Sequence, residues 1–257
     1  MRVPIRGVVF DLFDTLVDLH FERIPRQEHA GRKIVGTVHR LHEALAREVD
    51  VPFDRFVEVL GETDSEFLKS RYAKGLELRT EERFGACLER LGVDRPQLVE
   101  LLTEVHMGAL REQVVILDHH VDLMRALRER VPLGLCSNFS HSKTALGVLE
   151  EAGLHEHLDA IVISDAVGIR KPRPEIFQQV LDELGASPEE TLHVGDNLAA
   201  DVAGASGLGI RSIWITRRIA NPDARLQAHD GPAPDFTIRD LSELLPLIES
   251  LGVTRSR

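Results

Sequence analysis

Cysteine is scarce: the 257 residues include two, Cys87 and Cys136. Both stand in apolar runs, so no disulfide is expected, and the usage fits a reducing cytoplasm. Long apolar runs are also missing. No stretch reaches the length of a membrane span. The N-terminal MRVPIRGVVFDLF holds an apolar run too short for a signal peptide, and an aspartate interrupts it. Positive charge is in deficit, with 31 Lys and Arg against 42 Asp and Glu, a formal net charge of −11. That sign argues against a nucleic-acid groove or an anionic membrane surface as a main partner. An anionic small molecule then needs local help from a metal ion, a lysine or helix N-termini. Internal repeats and low-complexity segments are absent too.

What remains is an ordinary globular composition, 43% hydrophobic and 28% charged. The length is generous for one compact domain and short for two, which suggests a core with an insert. Gly7-Val8-Val9-Phe10 is a continuous apolar run ending in Asp11, as in a strand buried on both faces of a parallel sheet. From about 19 to about 111 the pattern is helical, without strands. Ile34, Val38, Leu41 and Leu45 form one stripe, and Phe53, Phe56, Val57 and Leu60 a second. Phe84, Cys87, Leu88 and Leu91 form a third, and Leu98, Leu101, Leu102, Val105 and Ala109 a fourth. Four such helices predict a small bundle. From about 115 strands and helices alternate. Strands are expected at 133–136, 160–163, 191–194 and 212–215, with helices at 119–129, 142–151, across Ile176–Leu184 and at about 199–206. A loop at 217–235, a strand at 236–238 and a helix at 241–251 close the chain. This alternation is the mark of βαβ units. The expected fold class is α/β: a Rossmann-like parallel sheet core with helices on both faces, from residues 1–18 and 112–257, and an inserted helical bundle at 19–111.

In open parallel sheets ligands bind beyond the carboxyl ends of the strands. The polar residues after each apolar run therefore carry the chemistry. They are Asp11-Leu12-Phe13-Asp14-Thr15, Ser137-Asn138, Lys171-Pro172-Arg173-Pro174 and Gly195-Asp196-Asn197 with Asp201. A carboxylate is a competent covalent nucleophile. Asp11 and Asp196 repel each other unless a cation lies between them, and oxygen-only ligands favour Mg²⁺. A serine hydroxyl, a lysine and helix N-termini suit the oxygens of a phosphoryl group. Each residue also has a plainer reading. Ser137-Asn138 serves as a helix N-cap, Lys171 as a solvated loop cation, Asp14 as a turn residue, and Thr15 as a loop hydrogen-bonder. Gly204, Gly207 and Gly209 follow a helix and read as its stop rather than a nucleotide loop. His119-His120 at a helix start reads as a solvated cap, with a metal site as the alternative.

Together these four segments resemble the motifs of the haloacid dehalogenase-like hydrolase superfamily, in order and across nearly the whole chain. Phe10-Asp11-Leu12-Phe13-Asp14-Thr15-Leu16 resembles the first motif, Ser137-Asn138 the second, Lys171 onward the third, and Gly195-Asp196-Asn197 with Asp201 the fourth. The helical insert resembles the cap of the C1-capped members. The resemblance implies Asp11 as nucleophile and Mg²⁺ ligand, with Asp196 and the Phe13 carbonyl as further ligands. It implies Ser137, Asn138 and Lys171 as substrate-binding, with Lys171 also catalytic. Asp14, Thr15 and Asp201 are supporting, and Asp201 either aids the metal or orients Lys171. A small anionic substrate and a cap that closes over it follow; the oligomeric state is left open between monomer and homodimer.

One position departs from that pattern. Phosphatases of the superfamily usually carry an acid/base aspartate two residues after the nucleophile, where this chain has Phe13. General acid–base help is typically worth about 10²–10⁴-fold. Its 2-haloacid dehalogenases also lack the acid there, because halide leaves without a proton, and usually have tyrosine. They use no metal and resemble Ser-Ser-Asn where this chain has Gly195-Asp196-Asn197. Their cap arginine lies among aromatic residues; Arg23, Arg26, Arg32 and Arg40 have no aromatic cluster beside them in sequence. The expected activity is thus a Mg²⁺-dependent phosphatase, with a dehalogenase-type hydrolase or a weakly active ligand-binding protein as alternatives.

Overall fold

The structure is a computed structural model, and it describes residues 4–29 and 31–252. Of the predicted core, residues 1–3 and 253–257 lie outside the described residues, as do residue 30 and the Arg32 side chain. The chain divides into two compact units: one up to Asp18 and from Ile116 onward, the other Leu19–Val115.

The first unit is built on a sheet of six strands: β1 (Gly7–Phe10), β2 (Leu133–Ser137), β3 (Ala160–Ile163), β4 (Thr191–Gly195), β5 (Arg211–Ile215) and β6 (Phe236–Ile238). Their spatial order is β6-β5-β4-β1-β2-β3, and every adjacent pair is parallel. Strands β1, β2 and β4 are buried along their whole length, which is why they are mainly apolar in sequence. Register pairs Phe10 with Leu135 on one side and with Val194 on the other. Against the sheet, Ile176, Phe177, Val180 and Leu181 of helix Pro174–Leu184 and Ala205 of helix Ala203–Gly207 meet Val9, Cys136 and Val162. Burying each large apolar side chain contributes roughly 1.5–3 kcal/mol. From β1 the chain winds outward to β2 and β3, then returns to the other flank for β4, β5 and β6. The order thus reverses between β1 and β4. In open parallel sheets such a switch point is where ligands bind, and Asp11 follows β1 and Asp196 follows β4 there.

Two expectations for this unit need adjustment. The 217–235 loop contains a short helix, Pro222–Gln227. Asn221 Oδ1 accepts from Ala224 N at 3.2 Å, and Pro222 supplies the first helical residue. The surrounding Pro, Asp and Gly hid that start signal. The last helix divides into a 3₁₀ turn, Leu241–Glu243, under an Asp240/Glu243 capping box, and an α-helix, Leu244–Ser250, with Pro246 in its first turn.

The second unit contains helices Gly36–Ala46, Phe53–Ser70, Thr80–Arg90 and Gln97–Arg111. Leu41, Leu45, Phe56, Leu60, Phe84 and Leu102 meet in its core. The expectation of helices without strands is incorrect at its start. Arg26–His29 and Arg32–Val35 pair as an antiparallel hairpin, so Ile34 is a strand residue and the first helix begins at Gly36. Gly31 takes φ 74°, a left-handed turn conformation open to glycine. The adjacent β-branched Ile34-Val35 favour extended backbone over another helical turn. No described helix is long and apolar enough to cross a membrane.

Candidate active site

β1 delivers Asp11 to the sheet edge, and Asp11 N donates to the Val194 carbonyl of β4 at 2.9 Å. The chain then folds back on itself. Leu16 N and Val17 N both donate to the Leu12 carbonyl, at 2.9 and 3.1 Å. Asp14 adopts φ 59°, and its N donates to the Val17 carbonyl at 2.6 Å. Its carboxylate accepts from Arg218 Nε at 3.1 Å. The Phe13 ring lies against Phe139 from the loop after β2, with centroids 4.8 Å apart. The Thr15 hydroxyl is buried without a hydrogen-bond partner, so it does not hold the loop as expected.

Lys171 is the hub. Its ammonium donates to Asp11 Oδ1 and to Asp201 Oδ1, each at 2.6 Å, and the residue is only 3% exposed. The reading of Lys171 as a solvated cation is therefore excluded. Asn138 clamps its backbone: Asn138 Nδ2 donates to the Lys171 carbonyl at 2.9 Å, and Lys171 N donates to Asn138 Oδ1 at 2.7 Å. The Asn138 side chain is thus spent on positioning Lys171 rather than pointing to a substrate.

Asp201 lies in a five-residue π-helical turn, Leu198–Val202, capped by Asn197, whose Oδ1 accepts from Ala199 N and Ala200 N at 3.0 Å. Such turns are frequent at functional sites. Asp201 Oδ2 accepts from Asn197 N at 3.0 Å, and Asp201 Oδ1 from His193 Nε2 at 2.9 Å. The side chain runs so close to the end of β4 that a Cβ on Gly195 would fall 2.2 Å from Asp201 Cγ. Glycine is required there for close approach.

The charges explain one another. Burial pushes the Asp11 carboxyl up to about 6, Lys171 opposing and Asp201 adding to the shift. Burial also raises Asp196, to about 8, with repulsion from Asp11, Asp201 and Asp14 added. Burial works against ionised Asp201 as well, but Lys171 and the His193 hydrogen bond outweigh it and hold its carboxyl well below the usual range. Burial opposes the charge on Lys171, yet Asp11 and Asp201 outweigh that and keep it firmly protonated. Burial lowers His193, so the imidazole is neutral and Nε2–H is the donor to Asp201. Carboxylate oxygens of Asp11, Asp196 and Asp201 all lie within 4.8 Å of one another. Three carboxylates facing one ammonium leave negative charge in excess, most acutely at Asp196. An all-oxygen donor set with that demand fits Mg²⁺.

The structure brings Asp11, Lys171, Asp196 and Asp201 together. Ser137 ends β2, beside β1, and its Oγ is buried with no partner. It is not a cap, because the next helix begins at Ser142 with His141 before it. A buried orphan hydroxyl beside the site is suited to an anion's oxygen. Gly204 is the second residue of helix Ala203–Gly207 rather than a stop, whereas Gly207 ends that helix and Gly209 follows it at φ 82°. Sequence reasoning missed His193, hidden in an apolar strand, and the need for glycine at 195. It also missed Arg218 and Trp214, whose Nε1 donates to the Asp196 carbonyl at 2.8 Å. A polar ring in a strand otherwise buried on both faces was the available signal for His193.

The profile of the haloacid dehalogenase-like hydrolase family matches residues 5–209. The chain is 33% identical to phosphoserine phosphatase from Thermus thermophilus, over 95% of this chain and 99% of that one. It is 27% identical to glyceraldehyde 3-phosphate phosphatase from Methanopyrus kandleri, over 96% and 99%. The solved structure of a 2-haloacid dehalogenase from Pseudomonas syringae pv. Tomato superposes with TM-score 0.67 at 24% identity, over 96% and 98% of the two chains.

Proposed function

The chain belongs to the haloacid dehalogenase-like hydrolase family, and within it we propose a Mg²⁺-dependent phosphatase of a small phosphorylated metabolite, with Asp11 as nucleophile. The observation that carries this reading is the Lys171 ammonium shared between Asp11 and Asp201, with Asp196 left short of positive charge beside them. A dehalogenase that uses no metal has no need of that surplus carboxylate. The full-length relatives named as phosphatases support the same choice.

In this reading the Asp11 carboxylate attacks phosphorus and the ester P–O bond breaks, the alcohol leaving with a proton from water; a second water then cleaves the aspartyl phosphate, releasing inorganic phosphate and restoring Asp11. Lys171 anchors Asp11 and balances charge near the phosphoryl oxygens, and the Ser137 hydroxyl is a donor for one of them. Asp201 and Asn138 hold Lys171 in place. Asp11, Asp196 and the Phe13 carbonyl would hold Mg²⁺, which supplies positive charge against the transferring group. We assign the helical unit, Leu19–Val115, to substrate selection as a cap.

A second reading has one observation in its favour. The ring of Phe13 lies against Phe139 where an acid would serve an alcohol leaving group. A leaving group that needs no proton, such as halide, suits that surface. The decisive assay measures phosphate release from a metabolite panel and halide release from haloacids, each with Mg²⁺ and with EDTA, alongside Asp11→Asn. Mg²⁺-dependent phosphate release, lost in the variant, is the expected result. Metal-independent halide release would sink the proposal. Mg²⁺ binding with neither activity would favour a ligand-binding role.

A further inference from the structure

We infer that His119, His120 and Asp240 form a second metal site on the first unit, chemically of the zinc type and sharing no residue with the Asp11 cluster. His119 and His120 lie in the first turn of helix Asp118–Arg128, and Asp240 precedes the 3₁₀ turn Leu241–Glu243. Their ligand atoms all lie within 4.8 Å of one another. His119 Nε2 is 3.1 and 3.2 Å from the two Asp240 oxygens.

His120 is the informative residue. It is fully buried, and its Nδ1 lies 2.8 Å from the Leu16 carbonyl. A carbonyl only accepts, so Nδ1 carries the proton. With the proton held on Nδ1 by that carbonyl, the neutral tautomer presents a lone pair at Nε2. That nitrogen is buried with no hydrogen-bond partner and lies 3.6 Å from Asp240 Oδ2. Two acceptors therefore face each other, the imidazole fully buried and Asp240 partly so, an arrangement that a cation between them satisfies. An imidazole whose Nδ1–H is held by a backbone carbonyl while Nε2 faces the metal is the usual outer-shell pattern of a histidine ligand.

The surrounding charges permit a cation. Arg217 Nε lies 3.4 Å from Asp240 Oδ2, but both terminal nitrogens of that guanidinium are paired with Asp18. Asp18, Arg217 and Asp240 together keep one net negative charge. Asp240 Oδ1 also accepts from Ser242 N at 2.9 Å, so Oδ2, the oxygen that faces His120 Nε2, is the one that would meet the ion. Two imidazole nitrogens and one carboxylate oxygen suit Zn²⁺ or Co²⁺ rather than Mg²⁺. His119 is half-exposed, so the ion has an entry path and a solvent ligand. Through the Leu16 bond, metal at His120 would brace the loop that follows Asp11.

The test uses untagged full-length protein stripped of metal, in an Asp11→Asn, Asp196→Asn background that disables the carboxylate cluster. Co²⁺ is titrated while visible absorption is followed, and Zn²⁺ is then added as competitor. One Co²⁺ per chain is expected, with the d–d bands of a low-coordinate nitrogen-containing site, lost on adding Zn²⁺. His119→Ala and Asp240→Asn should each weaken binding at least about tenfold. Both should fold: His119 is half-exposed, and asparagine keeps the cap. Absence of such bands, or bands retained at unchanged affinity in both variants, would overturn the site.

Discussion

At the residue scale the central object is one lysine between two aspartates. Lys171 and Asp201 are almost wholly buried, so the pair is held by mutual need. Removing one partner of a buried ion pair costs roughly 3–5 kcal/mol, because a charge is left uncompensated. Lys171→Met should therefore lose activity and also fall in urea-unfolding stability by about that amount. Phe13→Asp should act in the opposite sense on turnover. If leaving-group protonation limits the reaction, phosphate release should rise toward the roughly 10²–10⁴-fold that an acid/base supplies. A variant that folds and binds Mg²⁺ without gaining rate would show that another group already provides the proton. Asp14 is a weak candidate, because its carboxylate is engaged by Arg218.

The same carboxylates set a pH dependence for the metal-free protein. Asp196 is raised to about 8, so between the ordinary carboxylate range and that value the native state keeps a proton the unfolded chain has lost. Stability then falls as pH rises through that window. Asp11, raised to about 6, contributes in the same direction over a narrower window. Asp201 is depressed and has the opposite sign: its contribution is present above the ordinary carboxylate range and is lost as pH falls below it. Thermal melts in EDTA should thus show stability declining from about pH 5 toward about pH 8, with a flatter profile in Asp196→Asn. A profile unchanged by that substitution would contradict the assigned crowding.

At the element scale, the π-helical turn after β4 decides where Asp201 points. Asn197 caps it and Gly195 makes room for it. Gly195→Ala should force that turn to shift, costing about 1–3 kcal/mol by overpacking. It should also lower kcat more than KM, since Lys171 loses its fixed orientation. Steady-state kinetics with a paired melt tests both. The hairpin at 26–35 teaches a different lesson. Ile34 lies at helical spacing from Val38, yet a turn glycine and two β-branched residues prevailed over that period. Short stripes at element ends are weakly determined, because one residue more or less leaves the apolar count almost unchanged.

At the scale of the whole molecule, the excess of acid matters beyond the site. A chain of net charge −11 repels a phosphate dianion at long range. Added salt screens that repulsion, with a Debye length of about 8 Å near 0.15 M. The value of kcat/KM for a phosphomonoester should therefore rise from low ionic strength to about 0.15 M. A fall would mean that local positive charge, not the global field, governs approach.

The sheet was legible in the chain because parallel strands buried on both faces are predominantly apolar, as β1, β2 and β4 are, with His193 a polar exception inside β4. Asp11, Ser137, Lys171 and Asp196 were legible because each follows or lies near a strand end, and strand ends of one sheet share an edge. The partners of those residues were not. His193, Arg218 and the Asn138 clamp depend on which side chains meet across separations of 8 to 204 residues. Local pattern determines where a strand runs and which residues leave its end. Only the folded chain decides which charges share a lysine, which hydroxyl is left without a partner, and where a buried imidazole faces a carboxylate, because those outcomes depend on distance and desolvation rather than on order along the chain.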